Sequence, residues 1–338
     1  MTHYKVGLVG VIGHSGVVLE GIKQLGSKAH LAAIALEPES RARREALQQS
    51  PVVTRETRFY DDYREMLEKE DLDIAGVFGI DATRAQAIVD CAAAGLHICT
   101  EKPLAMTREE LARVRDATEK ARVNLTMLLT MRNEALYAAA KEVVASGAIG
   151  EVAQITAQKS YKLGTRAEWL KSRKTFSGVF PFVGIHMVDL MRWVSGREFT
   201  RVAAFQANVT RGDVIREMED NASAVFQLDN RGTATLRIDF LRPPTAPTHG
   251  DDRLRLAGGR GVLEVRGAEN FISLITHDSA EQRPALPPVQ QFFVQFVRSL
   301  EGECPPPVPA ADCFIATDIC LRAREAADCG RILEIRLQ

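Results

Sequence analysis

The chain has 338 residues, 46% of them hydrophobic, which is enough for a full core and for two domains. Its formal net charge is −1, so no overall field draws it to nucleic acid or to an anionic membrane, and its apolar runs are too short to cross a bilayer. The first twenty residues hold Gly7, Gly10, Gly13 and Gly16 and lack the basic-then-apolar pattern of an export signal. Six cysteines, at 91, 99, 304, 313, 320 and 329, show no C-x-x-C pair and no metal-ligand spacing with histidine. No metal is expected, and a reducing cytoplasm suits such thiols.

Residues 5–9 form an apolar run that ends in glycines, and 17–25 then carry helical spacing. Residues 31–36 read as a second strand and 40–49 as a polar helix. Another apolar run covers 74–80, an alanine-rich helix 82–94 stops at Gly95, and Ile98 lies in the next strand. Thr107-Arg108-Glu109-Glu110 is a capping box that opens a further helix. Residues 123–129 close the series as a further strand, and the alternation predicts a parallel, doubly wound sheet over a domain of residues 1–130.

After Gly150 the period changes. Residues 151–158, 202–209, 222–228, 233–240, 254–256 and 262–265 read as strands, several of them alternating apolar with polar. Short turns such as Asp229-Asn230-Arg231-Gly232 join them, so the second domain, residues 131–338, is expected to be α+β with a large, mainly antiparallel open sheet. Apolar residues on both faces of these strands predict a homodimer or homotetramer built on that sheet. Two helices, 289–300 and 311–329, close the chain.

Gly10-Val11-Ile12-Gly13-His14-Ser15-Gly16 lies between the first strand and the first helix, the context a dinucleotide fingerprint requires. The first glycine would permit a tight turn, the second would admit a pyrophosphate, and the third would allow close helix–strand packing. The spacing is G-x-x-G-x-x-G, with the middle glycine displaced by one from the usual fingerprint. Glu37 stands 21 residues beyond Gly16, where an acid would hold an adenine ribose diol and repel a 2′-phosphate. NAD is therefore expected ahead of NADP, with Arg41, Arg43 and Arg44 as the residues that would reverse the preference.

Thr100-Glu101-Lys102-Pro103 follows the strand around Ile98. Pro103 cannot extend that strand, which leaves Lys102 at the carboxyl rim of the sheet, where open α/β sheets bind ligands. The bond before Pro103 is a candidate for the cis form. With Glu101-Lys102-Pro103 behind a glycine fingerprint, and with Gly184-Ile185-His186-Met187-Val188-Asp189 further on, the chain resembles the Gfo/Idh/MocA oxidoreductases. Ala148-Ile149-Gly150-Glu151-Val152 at the domain junction extends the likeness to essentially the whole chain.

The resemblance implies a Rossmann domain and a substrate domain, and hydride exchange between NAD(P) and a carbinol or carbonyl carbon of a sugar, polyol or related polar small molecule. It implies Lys102 and His186 as the catalytic pair, sharing one substrate oxygen. A lysine beside the positively charged nicotinamide of NAD⁺ loses its proton more readily, which suits it as the base. It implies cofactor contacts from 10–16, Glu37, Gly79, Ile80, Asp81, Arg84, Glu101 and Lys102. Two departures stand out. Phe182 occupies the position four before the histidine that is often aspartate, and Phe78-Gly79-Ile80-Asp81-Ala82-Thr83-Arg84 replaces the usual A-T-P-N-x-x-H.

Substrate contacts are expected from Tyr161, Arg166, Lys174, Phe182, Asp189 and His249. The first three belong to a basic segment with interleaved aromatics that precedes the His186 helix. His186 and Asp189, three apart, can share a helix face, so a structural histidine–carboxylate pair is the plain alternative to catalysis. Two rival functions remain open at this point: a non-catalytic cofactor- or sugar-binding homologue, for which Phe182 argues, and a reductase acting on a cyclic imine, suggested by the glycine spacing.

Overall fold

Short runs of fully buried aliphatic residues build the first sheet. Strands β1 (Tyr4–Val9), β2 (Ala29–Ala35), β3 (Arg58–Tyr60), β4 (Ile74–Val77), β5 (His97–Thr100) and β6 (Leu125–Met127) are all parallel, in the order β3-β2-β1-β4-β5-β6. Val6, Leu8, Ile74, Val77 and Ile98 are wholly buried, as expected of strands covered on both faces. Helices α1 (Ser15–Leu25), α2 (Arg44–Gln48), α3 (Tyr63–Lys69), α4 (Asp81–Ala93) and α5 (Arg108–Ala121) alternate with the strands. The capping box forms: Thr107 Oγ1 accepts from the Glu110 N–H at 3.1 Å, and the Glu110 carboxylate accepts from the Thr107 N–H at 3.2 Å. Strand β3 escapes the sequence reading because it is a three-residue edge strand with no buried residue.

In this computed structural model, which describes residues 3–336, the chain divides into two units. The first holds residues up to Leu128 together with Gln290–Phe314, and the second holds Leu129–Val289 together with everything from Ile315. Assigning all of 131–338 to the second domain thus needs correcting for 290–314, a segment that follows the proline-rich stretch 284–288.

The second unit opens with α6 (Ala135–Ala145), β7 (Val152–Tyr161), α7 (Ile185–Ser195), β8 (Phe199–Ala207) and α8 (Gly212–Ile215). There follow β9 (Asn221–Leu228), β10 (Thr233–Asp239), β11 (Gly250–Gly258), β12 (Gly261–Arg266), β13 (Phe271–Thr276) and β14 (Ser279–Gln282). The chain then forms α9 (Phe292–Leu300) in the first unit, α10 (Ala310–Cys329), and finally β15 (Leu333–Glu334). The sheet order is β14-β13-β12-β11-β7-β10-β9-β8-β15. Every pair is antiparallel except β7 with β10. That exception arises because the β7–α7–β8 connection is a helical crossover, which brings the chain back in its original direction.

Strict alternation on β9 and β10 turns Ala222, Ala224, Phe226, Ala234, Leu236 and Ile238 into the core. The other face leaves Phe205 at 76% and Val225 at 52% exposure. Within the first unit, α9 buries Phe292, Phe293, Phe296 and Val297 and packs on α1, where Gln291 donates to the Val17 carbonyl at 2.6 Å. None of the six cysteines forms a disulfide.

Candidate functional site

At the end of β1 the backbone turns through left-handed conformations at Gly10 (φ 72°) and Gly13 (φ 64°). A Cβ on Gly10 would sit 2.7 Å from the Phe78 carbonyl oxygen, and one on Gly13 would collide with the Glu101 carboxylate. Gly16 behaves otherwise, since a Cβ there would meet nothing within 4 Å. The close helix packing expected of Gly16 belongs instead to Gly21, where a Cβ would fall 2.6 Å from the Phe293 Cβ.

The glycine loop is held from three sides. The Val11 N–H donates to Ser40 Oγ at 3.2 Å, and the Val11 carbonyl accepts from Arg43 at 2.9 Å and from Ser15 Oγ at 3.0 Å. The Ile12 N–H reaches the Phe78 carbonyl at 3.2 Å. Glu101 Oε2 accepts from the His14 N–H at 2.7 Å and lies 2.8 Å from His14 Nδ1. Its other oxygen accepts from the Lys102 N–H at 3.0 Å and stands 3.7 Å from Lys102 Nζ. Burial pushes the Glu101 carboxyl up, but the charges of Lys102, His14 and Arg84 overcome this and hold it well below the usual carboxylate range. Glu101 is thus a strut that ties the glycine loop to the lysine.

Lys102 is 5% exposed, and its peptide bond to Pro103 is cis. The Lys102 and Pro103 carbonyls accept from Arg84 at 3.1 and 2.9 Å, and the Gly79 carbonyl accepts from the same guanidinium at 2.8 Å. Asp81 pairs with Arg84 at 2.9 Å. Both charges are 1% exposed, so Asp81 and Arg84 fasten the ends of β4 and β5 together. Ile80 is buried at the start of α4.

Glu37 is half-buried beyond β2, with its carboxylate against Gly79, where a Cβ would come within 2.6 Å of Oε2. Burial and the Glu39 charge push its carboxyl up, against a hydrogen bond from Thr83 and the Arg84 charge. Of the nearby arginines, Arg41 lies 3.6 Å from Asp61, Arg43 holds the glycine loop, and Arg44 covers the Phe59 ring at 5.0 Å.

In the second unit a π-helical turn, Phe180–Gly184, delivers the chain into α7, and His186 lies in the first turn of that helix at 7% exposure. Asp189 is gripped at both oxygens by Arg132, at 2.8 and 2.5 Å, from the turn Thr130–Asn133. Arg132 also covers the Trp193 ring at 5.4 Å. Asp189 thus anchors the helix that carries His186, through Arg132, a partner the sequence reading did not name. A charge within the apolar stretch Leu128-Leu129-Thr130-Met131-Arg132 was the signal available. Phe182 meets Trp169 and Phe176 edge-on, with centroids 5.9 and 5.2 Å apart, so rings fill the place of the usual carboxylate.

At the carboxyl end of β7, Lys159 Nζ lies 2.7 Å from Asp252 and 3.1 Å from Met131 Sδ. The Tyr161 ring adjoins His249 at 4.9 Å, and Arg166 covers Phe240 at 4.4 Å. The structure thus brings Tyr161, Arg166 and His249 into one neighbourhood and adds Lys159 and Asp252, the latter unread in the sequence. Lys174 is exposed and its side chain makes no hydrogen bond or ion pair among the described residues. Among those residues no group of three potential ligands is placed to hold a metal ion, and no helix is long and apolar enough to cross a membrane.

Strand order 3-2-1-4-5-6, with a glycine loop at the point where the order reverses, defines a dinucleotide-binding fold. Residues 4–129 match the model of the oxidoreductase family with an NAD-binding Rossmann fold, and residues 137–264 match the GFO/IDH/MocA C-terminal domain. The chain belongs to this oxidoreductase family. A solved structure from Thermotoga maritima, assigned only as an oxidoreductase, superposes with a TM-score of 0.92 at 33% identity, covering 98% of this chain and 100% of that one. The rhizopine catabolism protein MocA of Rhizobium meliloti is 24% identical over 96% of this chain and 95% of its own. A myo-inositol 2-dehydrogenase of Thermotoga maritima is 26% identical over 66% of this chain and 65% of its own.

Proposed function

We propose that the protein is an NAD-dependent dehydrogenase that exchanges hydride with a carbinol or carbonyl carbon of a sugar, polyol or related polar small molecule. The observation that carries this reading is the fastening of Lys102: a buried lysine beyond β5, braced by Glu101 and by Arg84 through its own carbonyl. Burying an ammonium is costly unless something uses it. The open space over Gly16, the left-handed turns at Gly10 and Gly13 and the half-buried Glu37 fit a dinucleotide. When bound, the nicotinamide supplies the hydride acceptor. The residues at 10–16 and Glu37 would hold the cofactor, Lys102 would take the hydroxyl proton, and His186 would act as a second acid–base group. The inositol dehydrogenase among the relatives supports a polyol or sugar substrate.

The test is NADH formation from NAD⁺ across a library of sugars and polyols, alongside direct titration of cofactor binding. Turnover of a neutral or acidic polyol supports the reading. Cofactor binding with no turnover of any alcohol or ketone would favour a non-catalytic homologue, the reading to which the Phe182 ring cluster lends weight. Glu37→Ala should narrow the preference for NAD over NADP, and tighter NADP binding to the unmodified protein would overturn the assignment of Glu37. The open sheet face bearing Phe205 and Val225 is the surface on which copies of the chain would pair, and a monomeric mass by solution scattering at micromolar concentration would refute it.

A further inference from the structure

The carboxyl end of β7 holds more positive charge than its neighbours neutralise. Lys159, Lys162 and Arg166 lie within eight residues of one another, and Lys159 alone has a carboxylate partner, Asp252. Arg166 donates to the Lys162 carbonyl at 3.4 Å, and its buried Nε has no hydrogen-bond partner. Lys162 Nζ donates to the Ala246 carbonyl at 2.5 Å. Among the described residues, neither cation has a carboxylate within ion-pair distance. Burial pushes the Glu134 carboxyl up, with Lys159 opposing and Asp252 reinforcing that push. His249, beside Tyr161, is itself pushed down by burial and then by the Arg166 and Lys162 charges.

A half-buried guanidinium without a counter-charge is disfavoured, and stacking on Phe240 offsets only part of the loss. Arg166 presents a planar fork of donors suited to two oxygens of one anion. Tyr161 and His249 line the same place with groups that bond to oxygen and stack on a sugar face. We infer that Arg166 and Lys162, with Tyr161 and His249, form a subsite for an anionic oxygen group, carboxylate or phosphate, carried by the substrate. This inference rests on the dehydrogenase reading and narrows its substrate to an acidic or phosphorylated sugar or polyol.

The test is calorimetric titration of the full-length protein, with NADH present, using glucose, glucuronate and glucose 6-phosphate and then myo-inositol and its monophosphate. At least one charged compound should bind about tenfold or more tightly than its neutral counterpart, and the favoured arm tells carboxylate from phosphate. Arg166→Gln and Lys162→Gln should each remove most of that advantage, read as the ratio of charged to neutral affinity within each variant, whereas Arg166→Lys should keep part of it. If no charged member outbinds its neutral partner, or if the advantage survives both glutamine substitutions, the inference is overturned. Should Arg166→Gln fail to fold, Lys162→Gln and Arg166→Lys decide the matter. Hydride transfer is measured separately with NAD⁺. Its absence on every alcohol, with anion binding intact, would refute the dehydrogenase reading and leave the anion subsite standing.

Discussion

The two lysine-bearing strand ends, after β5 and at the end of β7, solve the same problem by different means. Lys102 is fixed by its sequence neighbours Glu101 and Pro103 and by one arginine that gathers backbone carbonyls. Lys159 is fixed by Asp252, 93 residues away, and the helix bearing His186 is fixed by Arg132, 57 residues from Asp189. The Lys102 brace begins with adjacent residues and reaches outward to Arg84, 18 residues away, and through Glu101 to His14, 87 residues away. Distant ion pairs make Lys159 and α7 depend on segments far away in the chain.

Removing Lys102 tests that contrast most severely. Lys102→Met should lower turnover by about 10²–10⁴-fold, the usual contribution of a positioned acid–base group, while NAD affinity stays within a few-fold. His186→Ala should cost less, and steady-state kinetics on the substrate found in the library will rank the two. A Lys102→Met enzyme with near-normal turnover would refute the assignment of the base.

Distant bracing should fail as a stability defect. Arg132→Met removes the guanidinium that holds both oxygens of the buried Asp189 and should destabilise the fold by about 3–5 kcal/mol in denaturant titration. The double variant Arg132→Met/Asp189→Leu should recover much of this, because an apolar pair of similar volume often replaces a buried ion pair without loss. If the single and double variants are equally unstable, packing of the side chains and not the charge is what holds α7.

Local bracing should show itself through pH. The Glu101 carboxyl is held low in the folded protein, so the stability it contributes is present above the unfolded carboxyl value of about 4.3. It is lost as pH falls through the depressed folded value. Glu101→Gln should cost about 1–3 kcal/mol at neutral pH, and the gap between variant and parent should close in strong acid. A gap that stays constant from pH 7 to pH 2 would show that geometry, not charge, makes the strut.

Two glycines of one helix give the smallest and sharpest contrast. Gly21→Ala meets Phe293 and should destabilise by about 1–3 kcal/mol, as overpacking does. Gly16→Ala meets no protein atom and should leave the melting temperature nearly unchanged while weakening NAD binding. Equal cofactor affinity in Gly16→Ala and the parent would mean that the space over Gly16 is not where the dinucleotide lies.

Five strands of the parallel sheet were legible because each is a short apolar run, and the Thr107 box and the Lys102 rim followed from neighbours in sequence. The edge strand β3 was not legible, since Arg58, Phe59 and Tyr60 have no buried face to impose a period. In the second unit the strands could be read from alternation, but the parallel pairing of β7 with β10 could not, because register across 79 residues leaves no local mark. Arg132 and Asp252 were missed for the same reason: each has meaning only through a partner that folding brings near. Gly16 was misread because one fingerprint can be spelled by glycines that serve different neighbours.

The return of Gln290–Phe314 to the first unit has a consequence for how the protein is made. A ribosome that has released the first 130 residues has delivered every strand of the parallel sheet, yet α1 still lacks the Phe293 side chain that packs on Gly21. Thr126 lacks the Val308 carbonyl to which its hydroxyl donates at 3.0 Å, and Lys28 lacks its partner Glu301 at 2.9 Å. The part begun first is thus among the last to be finished, and the nascent chain carries an unsealed helix face throughout synthesis of the second sheet. For the same reason a recombinant fragment cut at residue 130 should be sticky and poorly folded, and exchanging second domains between relatives requires the return segment to stay with the partner it seals.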